Sequence, residues 1–306
     1  FVQNYIAVKK YPYLKNKTIV KAHLDKRALV GNVKATFLFK VSDTILDQTD
    51  NIIISATIGT VAVGMYSNYY MLIVYLVNIA GIIANGMVAS YGNLYVKGST
   101  EKNHTMFKVS MLLFSLYGTV CSVCYICLIQ DFIPIWVGKQ YLMGNDLVYA
   151  IIVVFYLRMV TNTVWIYRSA MGLFKEVQYI NVAAAVLNII LSIMLGKKLG
   201  VSGIIIATAI SRLLTSFWYE AKIVYDKLKE PVIEYYLIQI KELIVTIIIT
   251  VVCVSATKKI IIDGIAGILM KLSACIVICC FGEYVIHRKN SECRFLINKI
   301  KHLRKE

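Results

Sequence analysis

Asn32 to Asn51 reads NVKATFLFKVSDTILDQTDN, and at about 100° per residue it separates into two faces. Asn32, Thr36, Lys40, Asp43, Thr44, Asp47, Asp50 and Asn51 share one side, and Phe37, Leu38, Phe39, Val41, Ile45, Leu46, Ile52 and Ile53 take most of the rest. Lys34 falls off the stripe, near the helix start. The segment is apolar enough to lie in a bilayer, where each buried charge costs at least ~2.5 kcal/mol. Such a stripe must therefore face water, partner charges or a polar substrate.

Seven more stretches approach the ~20 apolar residues that a spanning helix needs. With the first at 30–55, the predicted spans are 61–86, 108–131, 147–169, 177–196, 201–222, 238–256 and 264–285. The expected fold is an all-α integral membrane protein with eight transmembrane helices. The basic, Pro-containing stretch 1–28 is too charged to span, and 287–306 is a basic tail.

Composition supports this. Of 306 residues, 58% are hydrophobic, mean hydropathy is +0.68, and 16% are charged against roughly 25% in soluble domains. The net charge of +16 collects between apolar segments, which argues against nucleic acid as a partner. Alternate loops hold 22 Lys and Arg on one side of the membrane and five on the other. That asymmetry places both chain ends in the cytoplasm. The chain opens on Phe1 without a signal peptide, so it is expected to begin inside a larger protein.

The chemistry must come from polar groups at membrane depth. Lys40, Asp43, Asp47, Arg158 and Arg212 are placed near mid-membrane, either paired privately or lining a water-accessible cavity. Lys40 and Asp43, at i,i+3, could pair with each other. Arg158, Asn162 and Trp165 share one helix face, and a guanidinium fork beside an amide suits a phosphate or carboxylate. Asn78 and Asn85, like Asn181 and Asn188, are seven apart; helix packing is favoured over sugar contact. Tyr66, Tyr69, Tyr70 and Trp136 read as an interfacial aromatic belt. The eight cysteines read as free thiols, despite the Cys121, Cys124, Cys127 spacing. The four histidines, His23, His104, His287 and His302, fall in loops or the tail and are expected to be solvated. No catalytic motif, metal site or cofactor signature is present.

Several runs resemble those of a known family. Asp47-Gln-Thr-Asp-Asn-Ile-Ile-Ile-Ser55 followed by Gly64-Met-Tyr-Ser-Asn68 looks like the seventh and eighth helices of polysaccharide flippases. Trp136-Val-Gly-Lys-Gln-Tyr141 and Gly200-Val-Ser-Gly203 with Ala207-Thr208 look like their later segments, and Lys9-Lys10-Tyr-Pro12 like the link between lobes. The family is the Wzx-like polysaccharide transporter branch of the multidrug/oligosaccharidyl-lipid/polysaccharide exporter superfamily. The resemblance implies a bacterial cytoplasmic (inner) membrane protein. Residues 29–228 would be the second six-helix lobe and 229–286 the C-terminal helix pair of a 14-helix flippase; 1–28 would link the lobes and 287–306 would be the tail. The implied function is moving undecaprenyl-pyrophosphate-linked oligosaccharide across the bilayer for O-antigen, capsule or exopolysaccharide synthesis. Residues 1–306 alone are then expected not to transport, because alternating access needs two walls. Arg158, Arg212, Lys40, Asn162 and Asn78 would contact the head group or sugars. Asp43, Asp47 and Asp50 would orient those groups or couple a cation. Polysaccharide polymerase and glycosyltransferases are the implied partners. A cation-coupled multidrug exporter of the same superfamily and a polytopic enzyme of polysaccharide assembly stay open as alternatives.

Overall fold

The computed structural model describes residues 8–11, 26–262 and 264–303. The segment 1–28 therefore lies mostly outside the described residues, as do His23 and the side chain of His302. Among the described residues nine α-helices follow one another: α1 (Lys26–Thr57), α2 (Thr60–Lys97), α3 (Thr100–Trp136), α4 (Asn145–Met171), α5 (Phe174–Leu214), α6 (Ser216–Leu228), α7 (Val232–Thr257), α8 (Gly264–His287) and α9 (Ser291–Leu303). Among the described residues there is no strand. Short joints separate the helices: Ser99 caps α3 by accepting from the Lys102 amide, and Gly172 closes α4 in the left-handed region.

α5 is a hairpin. Gly200 has φ 63° and ψ −144°, outside the helical region, and the chain reverses there. Asn188 Nδ2 reaches Thr208 Oγ1 at 2.9 Å, although the two would stand about 30 Å apart on a straight helix. Gly203 sits against the backbone of Leu195, so close that a Cβ there would lie 2.3 Å from the Leu195 carbonyl oxygen. The two arms thus correspond to the segments expected at 177–196 and 201–222, but the second breaks at Thr215, where α6 begins. Other helices outrun the apolar stretches. α2 extends to Lys97 and α3 runs from Thr100 to Trp136, with Pro134 inside its last turn. Hydrophobicity marks the apolar stretch, whereas backbone hydrogen bonding continues into polar flanks.

Among the described residues six helical stretches are long and apolar enough to cross a membrane, counting Phe174–Leu228 as one; the charged α1 is not among them. On α7, Ile240, Leu243, Ile244, Ile247, Ile248 and Val251 are all about half exposed. A bilayer removes the cost of that continuous apolar face, and the chain is a multi-pass membrane protein.

The core joins α2, α3, α4 and the second arm of α5, with α6 and the start of α7. Tyr91, Phe107, Tyr167 and Tyr225 meet ring to ring at one end. At the other end Tyr69 is fully buried; its hydroxyl donates to Gln130 Oε1 and accepts from the Met143 amide, pinning the α3–α4 connection. Tyr66 is buried as well. The aromatic-belt reading therefore fails for Tyr66 and Tyr69, because their hydroxyls or rings find partners inside the bundle; Trp136 is exposed. α8 packs on α3 and α7 through Val123, Val245, Ile249, Cys253, Cys275 and Cys279, and all eight cysteines are free.

Candidate functional site: a charged cavity between the helices

The polar stripe of α1 faces neighbouring helices. Ala35, Phe39, Ser42, Leu46 and Ile54 are buried, and Asp43, Asp47 and Asp50 lie partly exposed beside them. Asp47 is the centre of the arrangement. Its Oδ2 accepts from Arg158 Nη1 of α4 at 3.1 Å, and its Oδ1 accepts from Arg212 Nη2 of α5 at 2.9 Å. Asp43 Oδ1 lies 3.9 Å from the same Arg212 nitrogen. Asp43 and Asp47 occupy one face because they are four residues apart on a helix.

Beside these ion pairs is a cavity of about 570 Å³. Lys40, Asp43, Asn78, Asn85, Arg158, Asn162, Trp165 and Arg212 line it. The structure thus brings Lys40, Asn78, Asn162, Arg158 and Arg212 to one space, with Asp47 joining the two arginines at its wall. Lys40 does not pair with Asp43: Arg212 takes that carboxylate, and Lys40 has no ion-pair partner among the described residues. Asn78 and Asn85 line the cavity rather than a helix contact, whereas Asn181 and Asn188 are buried and bond across helices. Asp50 is set deeper. Thr208 Oγ1 lies 3.4 and 3.3 Å from its two oxygens, and that hydroxyl also accepts from Asn188, so one polar chain ties α1 to both arms of the hairpin. Tyr70, stacked on Tyr66, completes the small pocket around Asp47 and Asp50.

Chemically the cavity offers two planar cations sharing one carboxylate, a free ammonium and several amides. It can bind an anionic group and hydrogen-bond hydroxyls around it. A second cavity, of about 530 Å³, is almost wholly apolar and lies between α4, α6 and α7. Leu157 and Phe217 line both it and a small pocket that reaches Asp43 and Arg212.

Three engaged polar groups, Arg168, His104 and His287, are not foreseen from the local sequence pattern. Arg168, in the last turn of α4, is 1% exposed, ion-paired to Glu220 and laid over the Phe39 ring at 4.1 Å. His104 is held between Glu230 and Glu234 at 2.9 Å each, and Glu234 also pairs with Lys108. His287 is 2% exposed and lies against Glu242 and Glu283. The solvated reading of these two histidines is thereby corrected: both sit at helix ends, His104 against Glu230 and Glu234 where α6 passes into α7, His287 against Glu283 of its own helix and Glu242 within α7. The i,i+4 spacing of Glu283 and His287 in an apolar helix was the available signal for one; no local pattern gave the others.

The described residues form a multi-pass helical bundle around a charged cavity. A solved structure titled lipid II flippase MurJ, inward closed conformation, matches with a TM-score of 0.55 at 14% identity. The match covers 81% of this chain and 52% of that one, so the chain spans about half its length. At this identity the likeness is one of fold. No protein-family model matches the sequence, and no match was found among curated proteins.

Proposed function

We propose that the chain is the C-terminal part of a flippase for lipid-linked oligosaccharides, of the Wzx-like kind. It would move undecaprenyl-pyrophosphate-linked repeat units across the bacterial cytoplasmic membrane by alternating access. The observation that carries this is the meeting of Arg158 and Arg212 on Asp47 at the wall of a cavity also lined by Lys40, Asn78 and Asn162. A pyrophosphate has oxygens enough to replace Asp47 on both guanidiniums, and each exchange trades one charge-assisted hydrogen bond for another. Lys40 adds a cation without a carboxylate to leave. The amides suit sugar hydroxyls, and the adjoining apolar cavity gives a prenyl chain a route that avoids the charges. The fold likeness to a lipid II flippase supports a lipid-linked substrate.

The roles follow. Arg158 and Arg212 hold the phosphates. Asp47 holds the arginines in place when the site is empty, and Asp43 and Asp50 set their surroundings or take up a coupling cation. Rocking of two lobes about the midplane would switch access, the other lobe being supplied outside these residues. Both chain ends are assigned to the cytoplasm on the Lys and Arg asymmetry. The residue divisions at 28, 228 and 286 follow the same reading. Two arginines on the wall are poor lining for a cationic drug.

The test reconstitutes the full-length transporter in vesicles and follows a fluorescent lipid-linked oligosaccharide from leaflet to leaflet, with cationic dye efflux measured in parallel. Flipping without dye efflux is expected. Dye efflux without flipping would overturn the proposal in favour of drug export.

A further inference from the structure

Away from that cavity, α7 and α8 carry a buried cluster with no role in the proposed transport. Glu242, Glu283 and His287 are 5%, 4% and 2% exposed. His287 Nε2 stands 3.2 Å from Glu242 Oε2 and 3.1 Å from Glu283 Oε2. Ligand atoms about 2.0–2.1 Å from one tetrahedral ion lie about 3.3 Å from one another, so these separations match the edges of a coordination polyhedron.

The hydrogen bonding is incomplete in the same direction. Neither oxygen of Glu283 nor Nε2 of His287 has a hydrogen-bond partner among the described residues, although nitrogen and oxygen approach closely. The imidazole is thus turned so that an N–H would not point along either carboxylate. Unpaired buried carboxylate oxygens are costly. A protonated His287 would still leave the cluster one charge negative. Lys108 and Lys241 line the adjoining cavity, and Lys108 is engaged with Glu234. A dication would neutralise two carboxylates and a neutral imidazole completely.

The outer groups fit as well. Ser115 Oγ donates to Glu242 Oε2 at 3.2 Å, and the Asn290 side-chain amide lies 3.0 Å from His287 Nδ1. With the amide oxygen turned to Nδ1–H, the tautomer is fixed and the Nε2 lone pair faces the carboxylates. A cavity of about 230 Å³, lined by Glu242, His287 and Asn290, leads to the cluster.

We propose that Glu242, Glu283 and His287 bind a divalent transition-metal ion, which clamps α7 to α8 at the end where α9 begins. Two carboxylates and an imidazole select an ion of the zinc, cobalt or manganese kind over magnesium. Co²⁺ is the probe, because its spectrum separates oxygen and nitrogen donors from thiolates and so excludes the free cysteines.

Purified chain in detergent, stripped with chelator, is titrated with Co²⁺ while absorption and Tm are followed. Expected are one Co²⁺ per chain, d–d bands without a thiolate charge-transfer band, and a rise in Tm that chelator reverses and Mg²⁺ does not produce. Glu283→Gln and His287→Gln should lose the spectrum, and Asn290→Ala, outside the ligand set, should weaken binding about tenfold. Should a ligand variant fail to fold, the wild-type titration and Asn290→Ala still decide. No Co²⁺ uptake, a thiolate band alone, or binding unchanged in folded Glu283→Gln or in Asn290→Ala overturns the site. None of these outcomes bears on lipid flipping.

Discussion

Arg212 Nη2 donates to Asp47 Oδ1 at 2.9 Å, across 165 residues of chain. The other oxygen of Asp47 serves Arg158, so one carboxylate answers two guanidiniums. Asp43, at 3.9 Å from Arg212, contributes more weakly. Two guanidiniums thus meet two carboxylates at the cavity wall, and Lys40 adds a cation that has no ion-pair partner among the described residues. If the full-length protein is the flippase proposed above, Arg158→Ala should abolish flipping while membrane levels stay normal. Arg158→Lys should recover part, since an ammonium keeps the charge but loses the fork. Vesicle flipping normalised to inserted protein reads this. Normal flipping by an Arg158→Ala, Arg212→Ala double variant would remove both from the mechanism.

The hairpin turn makes a prediction about folding alone. Gly203 meets the Leu195 carbonyl, and a Cβ there would lie 2.3 Å from its oxygen, so Gly203→Ala must push the two arms apart. The cost should be about 1–3 kcal/mol. Gly200→Ala has open space but a φ of 63°, and should cost roughly 1–2 kcal/mol from backbone strain. Gly64→Ala, in a helix with nothing within 4 Å, should be neutral or stabilising. Thermal unfolding in detergent would show this order; equal Tm values for Gly203→Ala and Gly64→Ala would contradict the close approach of the arms.

The hairpin also shows what the chain's pattern reveals and what it hides. Gly200 and its flanking apolar arms were visible as two segments, because twenty apolar residues announce themselves locally. The stripe on α1 was visible for the same reason: Lys40, Asp43 and Asp47 recur at helical spacing. That Arg212 would take Asp43 from Lys40 was not visible, since the choice depends on how α5 lies against α1. Tyr66 and Tyr69 were misplaced because a tyrosine at an interface and one in a core have the same local sequence. Only the distant partners, Gln130 and the Met143 amide, decide the case for Tyr69.

The Lys and Arg asymmetry predicts which connections face out. A reporter active only outside the cytoplasm should give signal when fused after Lys198, beside the Gly200 turn, and none after Lys227, at the end of α6. These two points lie at opposite ends of one helical path. The reverse pattern would invert the topology.

Arg168 provides the strictest test of the packing around α1. Its side chain is 1% exposed, and Nη1 bonds to Glu220 at 3.2 Å, while Nε and Nη2 have no partner among the described residues. Glu220 also accepts from Asn181 at 2.9 Å. The guanidinium lies over Phe39, whose ring meets Phe174 edge to face at 5.6 Å. An incompletely bonded, buried charge is tolerated because the carboxylate and the aromatic face share it. Arg168→Ala strips Glu220 of its cation inside the bundle and should cost about 3–5 kcal/mol. Arg168→Lys keeps the charge but loses the planar stacking, and should fall between. Arg168→Met with Glu220→Gln removes both charges while filling the space. It should unfold well above Arg168→Ala, because the penalty lies mainly in leaving one ion alone. The ordering of Tm values across these three chains checks the argument. If Arg168→Ala and the double variant unfold together, Glu220 is not stranded, and Arg168 contributes through its contact with Phe39.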